Sequence, residues 1–277
     1  MMAVFTLFFL LPLVLVIIVS AWDYNEYEMI PAFSLRGYTD TFEGCISGLP
    51  ELCTILKTYL KTVKLCVLTW GLTLVIGFTV AYFLAFHVRS KTWQIVLTLL
   101  CTIPFWTSNV IRMIAWIPLL GRNGLVNRGL EGAGLITQPV EWLLFSEFSV
   151  VLALVHLFTF FMVVPIFNSM IRIDKRLIEA AYDAGATGWQ TLVNVIIPLA
   201  KPGIVIGSIF VITIVMGDFI TIGMMGGQQI ASAGKINQTR LDAIQFPAAA
   251  ANAVILLIAT MMIIVAMMRL VDIRKEL

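Results

Sequence analysis

Residues 171–202 read IRIDKRLIEAAYDAGATGWQTLVNVIIPLAKP, a polar interval between two apolar runs. The interval has internal order. Asp174 stands where an N-cap opens a short helix, and Leu177, Ala181 and Ala184 then fall on one face at helical spacing. Gly185 follows as the residue that takes the left-handed conformation ending a helix. Thr187, with Gln190 one turn on, forms a capping box for a second helix whose apolar face is Trp189, Leu192, Val193 and Ile196. Pro198 and Pro202 are expected to end that helix. Two short amphipathic helices set at an angle, between apolar runs, make a surface suited to contact.

The composition says where that surface lies. Of 277 residues, 60% are hydrophobic and 12% charged, and the mean hydropathy is +0.97. A soluble domain carries roughly twice that charge fraction, so the chain reads as an all-α integral membrane protein with one domain, 1–277, and no separate soluble part. A formal net charge of +2 is too small to imply nucleic acid as a partner. Cys66 and Cys101 sit in apolar runs as packing residues, whereas Cys45 and Cys53 share one loop and can pair if it lies outside the cytoplasm. His87 and His156 are far apart and no Cys-x-x-Cys occurs, so no metal site is expected.

Six apolar runs are read as transmembrane helices: about 3–22, 67–86, 93–119, 148–171, 203–222 and 246–268. The first lacks a basic leader and a cleavage site, and is read as an uncleaved span. Pro104 and Arg112 interrupt the third. An even number of spans puts both termini on one side. Arg89, Lys91, Arg172, Lys175, Arg176, Lys201, Arg269, Arg274 and Lys275 crowd the short segments of that side, which the positive-inside rule makes cytoplasmic. The 172–202 loop and both termini are therefore expected in the cytoplasm, and Cys45 and Cys53 outside it.

At this point the residues resemble a family. Glu179-Ala180-Ala181, then Gly185, then Val195-Ile196-Ile197-Pro198 is similar to the EAA loop of ABC importer permeases, with Val195 and Ile197 as its departures from the pattern. Ala81-Tyr82-Phe83-Leu84-Ala85, Pro104-Phe105-Trp106 and Gly217-Asp218-Phe219 resemble the spermidine/putrescine branch. The resemblance implies a type I ABC importer permease fold in a bacterial inner membrane. It implies that Glu179, Ala180, Ala181, Gly185, Val195, Ile197 and Pro198 form the contact with a cytoplasmic ATPase. It also implies a second, homologous permease chain, two ATPase subunits and a periplasmic substrate-binding protein. No Gly-x4-Gly-Lys-Ser/Thr loop is present, so the chain is expected to be no enzyme and to hold no cofactor; ATP and Mg²⁺ belong to the partner. Related branches carry opines, phosphonates or iron, so the resemblance leaves the substrate open.

Four residues are candidates for the substrate path. Asp218 lies about 15 residues into span five, roughly 22 Å at 1.5 Å per residue. A carboxylate at such depth costs about 3 kcal/mol unless water or a partner meets it. It either lines the path as a group that attracts cations, pairs with a basic residue such as Arg112, or reaches the outer headgroup zone. Arg112 binds an anionic group or snorkels outward. Trp106 and Phe219 stack on a substrate's carbon chain or serve as packing and interfacial residues. The rival reading, an ion- or proton-coupled secondary transporter, calls for several acids within the spans, and Asp218 alone is clearly placed there.

Overall fold

The computed structural model describes residue 4 and residues 6–25, 28–42, 45, 53–227 and 230–269. The order is helix α1 (Thr6–Val19), a hairpin of β1 (Trp22–Tyr24) and β2 (Met29–Phe33), and α2 (Arg36–Thr41). Then come α3 (Thr54–His87), α4 (Lys91–Trp106), α5 (Asn109–Leu120), α6 (Leu125–Gly132) and α7 (Glu147–Met170). The chain continues with α8 (Lys175–Asp183), α9 (Gly188–Gly217), α10 (Ile220–Met225), α11 (Ala233–Asp242) and α12 (Phe246–Arg269). Among the described residues four helices are long and apolar enough to cross a membrane, or five if the bent pair α4 and α5–α6 is one span. The helix α1 is shorter than these.

The core is a bundle of α3, α7 and α9. Along α3 the buried residues are mostly small: Thr58, Thr62, Thr69, Thr73, Gly77 and Ala81. Small residues let backbones approach, which is how helices associate where lipid removes the hydrophobic drive between them. The threonines bring polar groups into that interface without leaving them all unpaired. Thr62 Oγ1 donates to Thr58 O at 2.9 Å and Thr73 Oγ1 to Thr69 O at 2.8 Å. Gly77 and Gly207 both face Met162, which is 0% exposed. A Cβ on Gly77 would lie 2.7 Å from Met162 Cγ, and one on Gly207 2.9 Å from its Sδ. Trp70 Nε1 donates to Ser208 Oγ at 2.8 Å across α3 and α9.

Lys64 and Glu147 pair at the start of α7, and with the contact of Gly77 on Met162 this sets α3 and α7 parallel. At the same end, the hairpin and α2 pack on α12, held by Arg240 Nη1 donating to Thr41 Oγ1 at 2.6 Å and to Ala248 O at 2.9 Å. Tyr24 donates from its hydroxyl to Asp40 Oδ2 at 2.6 Å. Burial pushes its phenol up to about 12, with the hydrogen bond to Asp40 adding to the effect, so it stays a protonated donor at neutral pH. Cys45 and Cys53 form a disulfide, and Cys66 and Cys101 are free thiols in helices.

Four expected boundaries need correction. The first apolar run stops being helical at Val19, because Trp22 enters the hairpin. The third expected span, 93–119, is two helices meeting at 89°, and Thr107 and Ser108 are extended between them. Span five ends at Gly217 and not at residue 222. Pro198 and Pro202 do not end the second helix of the 172–202 interval, which runs on without a break to Gly217. A π-turn at Leu192–Ile196, where Ile197 N donates to Leu192 O, shifts the hydrogen-bond ladder just ahead of Pro198.

The close approach of α7 and α9 is testable. A Cβ on Gly203 would sit 2.4 Å from Pro165 O and 2.5 Å from Ser169 Oγ. Gly203→Ala should destabilise the protein by about 1–3 kcal/mol, read as a fall in thermal unfolding temperature in detergent. Gly71→Ala, where nothing lies within 4 Å, should leave that temperature no lower, since alanine is the better helix former.

Candidate functional site

Two regions carry the residues singled out above. The first is the turn between α8 and α9. The Asp174 carboxylate accepts from Arg176 N and opens α8. Ala186 N donates to Ala181 O and Gly185 N to Tyr182 O, the paired bonds of a Schellman ending. Gly185 has φ +84, which explains why a glycine stands there. The capping box is complete: Gln190 N donates to Thr187 Oγ1 at 3.3 Å and Thr187 N to Gln190 Oε1 at 2.8 Å. Every cap read from the sequence is in place.

The apolar face of α8, however, is largely left open, with Ile178 its contact with the core. The helix has no buried residue. Leu177 is 49% exposed, Tyr182 52% and Trp189 72%. Glu179, Ala180, Gly185 and Pro198 are exposed, while Ala181, Val195 and Ile197 are half-buried. Thr191, Ile196 and Ala200 are buried and root the start of α9, with Leu192 packed against the core. Beside the turn a groove of about 680 Å³ runs between α7 and α9, lined by Pro165, Asn168, Arg172, Leu199 and Ile206 among others. A helix this well capped and this poorly buried is ordered by its own ends and offers its side chains outward.

The second region is where two helices break. At the 89° bend, Arg112 Nη2 donates to Thr107 O at 3.1 Å and to Asn109 Oδ1 at 2.6 Å, while its Nε and Nη1 are buried without a hydrogen-bond partner. At the end of α9, Asp218 is extended and turns its carboxylate onto the next helix. Oδ1 accepts from Thr221 N at 2.8 Å and Oδ2 from Thr221 Oγ1 at 2.9 Å. The two breaks share a cavity of about 190 Å³ lined by Asn109, Phe158, Ile214, Gly217, Asp218, Phe219 and Ile220.

Asp218, Phe219 and, through Asn109, Arg112 thus come together, and no ion pair joins Asp218 to Arg112 among the described residues. Trp106 is not with them: it is 82% exposed at the end of α4. Its neighbour Phe105 packs on Phe160 and Phe161, with ring centroids 5.5 and 5.7 Å away. Asn109 and Thr221 are not among the residues singled out from the sequence. Only Thr221 left a signal, since Asp218-x-x-Thr221 has the spacing of a helix cap.

Residues 73–276 match the family described as binding-protein-dependent transport system inner membrane component. The spermidine/putrescine transport system permease protein PotB of Salmonella typhimurium strain SL1344 is 36% identical over 186 residues, 67% of this chain and 64% of that protein. The match therefore spans just under two thirds of that relative's length. PotB of Haemophilus influenzae is 29% identical over 231 residues, covering 83% of this chain and 76% of the other. Among solved structures, a bacterial alginate ABC transporter in complex with a periplasmic protein bound to alginate pentasaccharide has a chain similar to this one. Its TM-score is 0.69 at 14% identity, over 99% of this chain and 92% of that one, a likeness of fold.

The capping box yields a measurable expectation. Thr187→Ala removes the side-chain acceptor of Gln190 N, worth about 1 kcal/mol at an N-cap. Hydrogen exchange should show the Gln190 amide opening about fivefold more readily, with the α7 amides unchanged.

Proposed function

Because the chain belongs to the family of binding-protein-dependent transport system inner membrane components, we propose that it is the permease subunit of an ATP-driven importer. In this reading it sits as a multi-pass protein in a bacterial inner membrane. It forms half of the path for a small solute, and a second, homologous permease forms the other half. A periplasmic binding protein delivers the solute. Two cytoplasmic ATPases, which hold ATP and Mg²⁺, dock on the α8 turn. The likeness to PotB supports a polyamine or related cationic amine as substrate.

One observation carries the reading: the capped, outward-facing turn continues without a break into α9, and α9 ends at Asp218. A helix of 30 residues is stiff, so a displacement of Thr187 by a docked ATPase is carried to Gly217 and not absorbed at Pro198. The exposed face of α8, with Glu179, Ala180 and Tyr182, and Trp189 in the first turn of α9 supply the contact. Ala180 lets a partner groove come close. At the far end, the carboxylate of Asp218 faces a small cavity at a break between helices, an arrangement transporters use to meet a charged solute at depth. Two of its lone-pair sites are taken by Thr221, and others remain for an ammonium group.

Co-purification from membranes tests the docking half. The wild-type chain should bring down an ATPase, and Glu179→Ala should lose it while the permease pair stays intact. Uptake that runs on a proton gradient without ATP would refute the whole reading. For the path, Asp218→Asn should cut uptake of a polyamine about tenfold or more, as loss of a charge-assisted contact does; unchanged uptake would remove Asp218 from it.

The side of the membrane is tested by the disulfide. Cys45 and Cys53 are paired, which suits an oxidising compartment. After reduction, a membrane-impermeant maleimide added to intact cells should label these two cysteines, and should not label a cysteine placed at Thr187. The reverse pattern would invert the proposed topology of six spans with cytoplasmic termini.

A further inference from the structure

The segment after the break folds back on it. The helix α10 ends at Met225, the chain turns, and the first residues of α11 return to the carbonyl end of α9. Gly234, buried in the first turn of α11, is the point of contact. A Cβ there would lie 2.8 Å from Gly217 O and 3.0 Å from Asp218 O. Nothing in the reading above assigns Gly234 a role.

Which side yields if that contact is tightened is decided by how each side is held. The α11 side is fixed by buried polar groups on two other helices. Ala233 N donates to Thr62 Oγ1 of α3 at 3.0 Å, and Asn252 Nδ2 of α12 donates to Ala233 O at 3.3 Å. Tyr59 in turn donates to Asn252 Oδ1 at 2.9 Å. Thr62, Ser232, Ala233 and Asn252 are all at most 1% exposed. Ser232 Oγ caps the helix by accepting from Lys235 N at 3.1 Å, and Lys235 Nζ donates to Gly227 O. Breaking any of these strands a buried polar group. The other side is a helix end. Gly217 is exposed with nothing within 4 Å of its would-be Cβ, Asp218 N donates to Val215 O at 3.2 Å, and the Asp218 carboxylate is held by Thr221. The peptide at 217–218, tied by one backbone bond at a helix end, is the part that yields.

We propose that Gly234 is a positioning residue for the path: it sets where the buried start of α11 holds the Gly217–Asp218 peptide, and so where the Asp218 carboxylate stands for a cationic amine. This rests on the reading of Asp218 as a path residue. Adding one methyl at 234 pushes on both carbonyls, turns the carboxylate relative to the cavity and weakens the amine's hold, while the contacts of α3, α7 and α9 around Met162 are left in place.

The experiment measures equilibrium binding of radiolabelled putrescine to the complete permease–ATPase complex, purified without binding protein. Gly234→Ala and Asp218→Asn are each expected to weaken binding about tenfold, and the double variant to bind no more weakly than Asp218→Asn alone, because both act through one group. Gly223→Ala, in open space, should bind as wild type. Additive losses in the double variant mean a general packing defect and overturn the proposal. So does normal binding by Gly234→Ala. If Asp218→Asn itself binds normally, the path reading falls and this inference with it. If Asp218→Asn binds weakly and Gly234→Ala normally, this inference alone falls. Should Gly234→Ala not assemble, Thr62→Val decides: it removes the acceptor of Ala233 N at nearly constant volume. It is expected to weaken binding in the same non-additive way, and wild-type binding by that variant overturns the proposal.

Discussion

Met162 is enclosed because two neighbouring helices have no side chain where it sits. Gly77 of α3 and Gly207 of α9 press backbone against it, so three long helices meet within van der Waals reach of one thioether. Between apolar helices in lipid there is little water to expel, and association depends on contact area and on hydrogen bonds made across the interface. The small-residue stripe of α3 supplies the first. The bond from Trp70 to Ser208 supplies part of the second. Everything else in the molecule is placed relative to this bundle: α8 beyond one end, and the breaks and the hairpin toward the other.

The bundle makes α9 the mechanically interesting helix. It is packed on α3 and α7 along its middle and rooted at its start by Thr191, Ile196 and Ala200, so it joins an exposed turn to an interior break. A helix that stopped at Pro198 would have separated the turn from the bundle by a hinge. Here the helix passes Pro198 and Pro202 and runs on to Gly217. The residues that look like a stop in the sequence therefore lie within one continuous helix.

How much of this was legible beforehand follows the range of the interactions involved. Asp174, Gly185, Thr187 and Gln190 were read correctly because caps are local: donor and acceptor lie within a few residues of each other. The apolar cores of α7 and α12 were read correctly because their length and composition suffice. Pro198 was misread because no single residue announces that the helix runs on past it. The bend at Thr107–Ser108 falls beyond Pro104, where the sequence offers no glycine, and it is tied by Arg112 reaching back to Thr107 O. Gly234 was invisible because its meaning lies in Gly217, Thr62 and Asn252, which only the fold brings near it.

Asp218 shows how these scales combine. A carboxylate deep in an apolar helix would cost about 3 kcal/mol on insertion scales. Here the helix ends at that residue, so the charge meets a fresh set of unpaired N–H groups at the start of α10, and Thr221 gives it both a backbone and a hydroxyl donor. The same break leaves the last carbonyls of α9 without intrahelical donors, and the buried first turn of α11 is set against them. One interruption thus creates a negative helix end, a carboxylate and a cavity together, and each lowers the cost of a cation beside the others. A charged residue without the break, or a break without the charge, would lack that mutual support, which is why the two occur at one position.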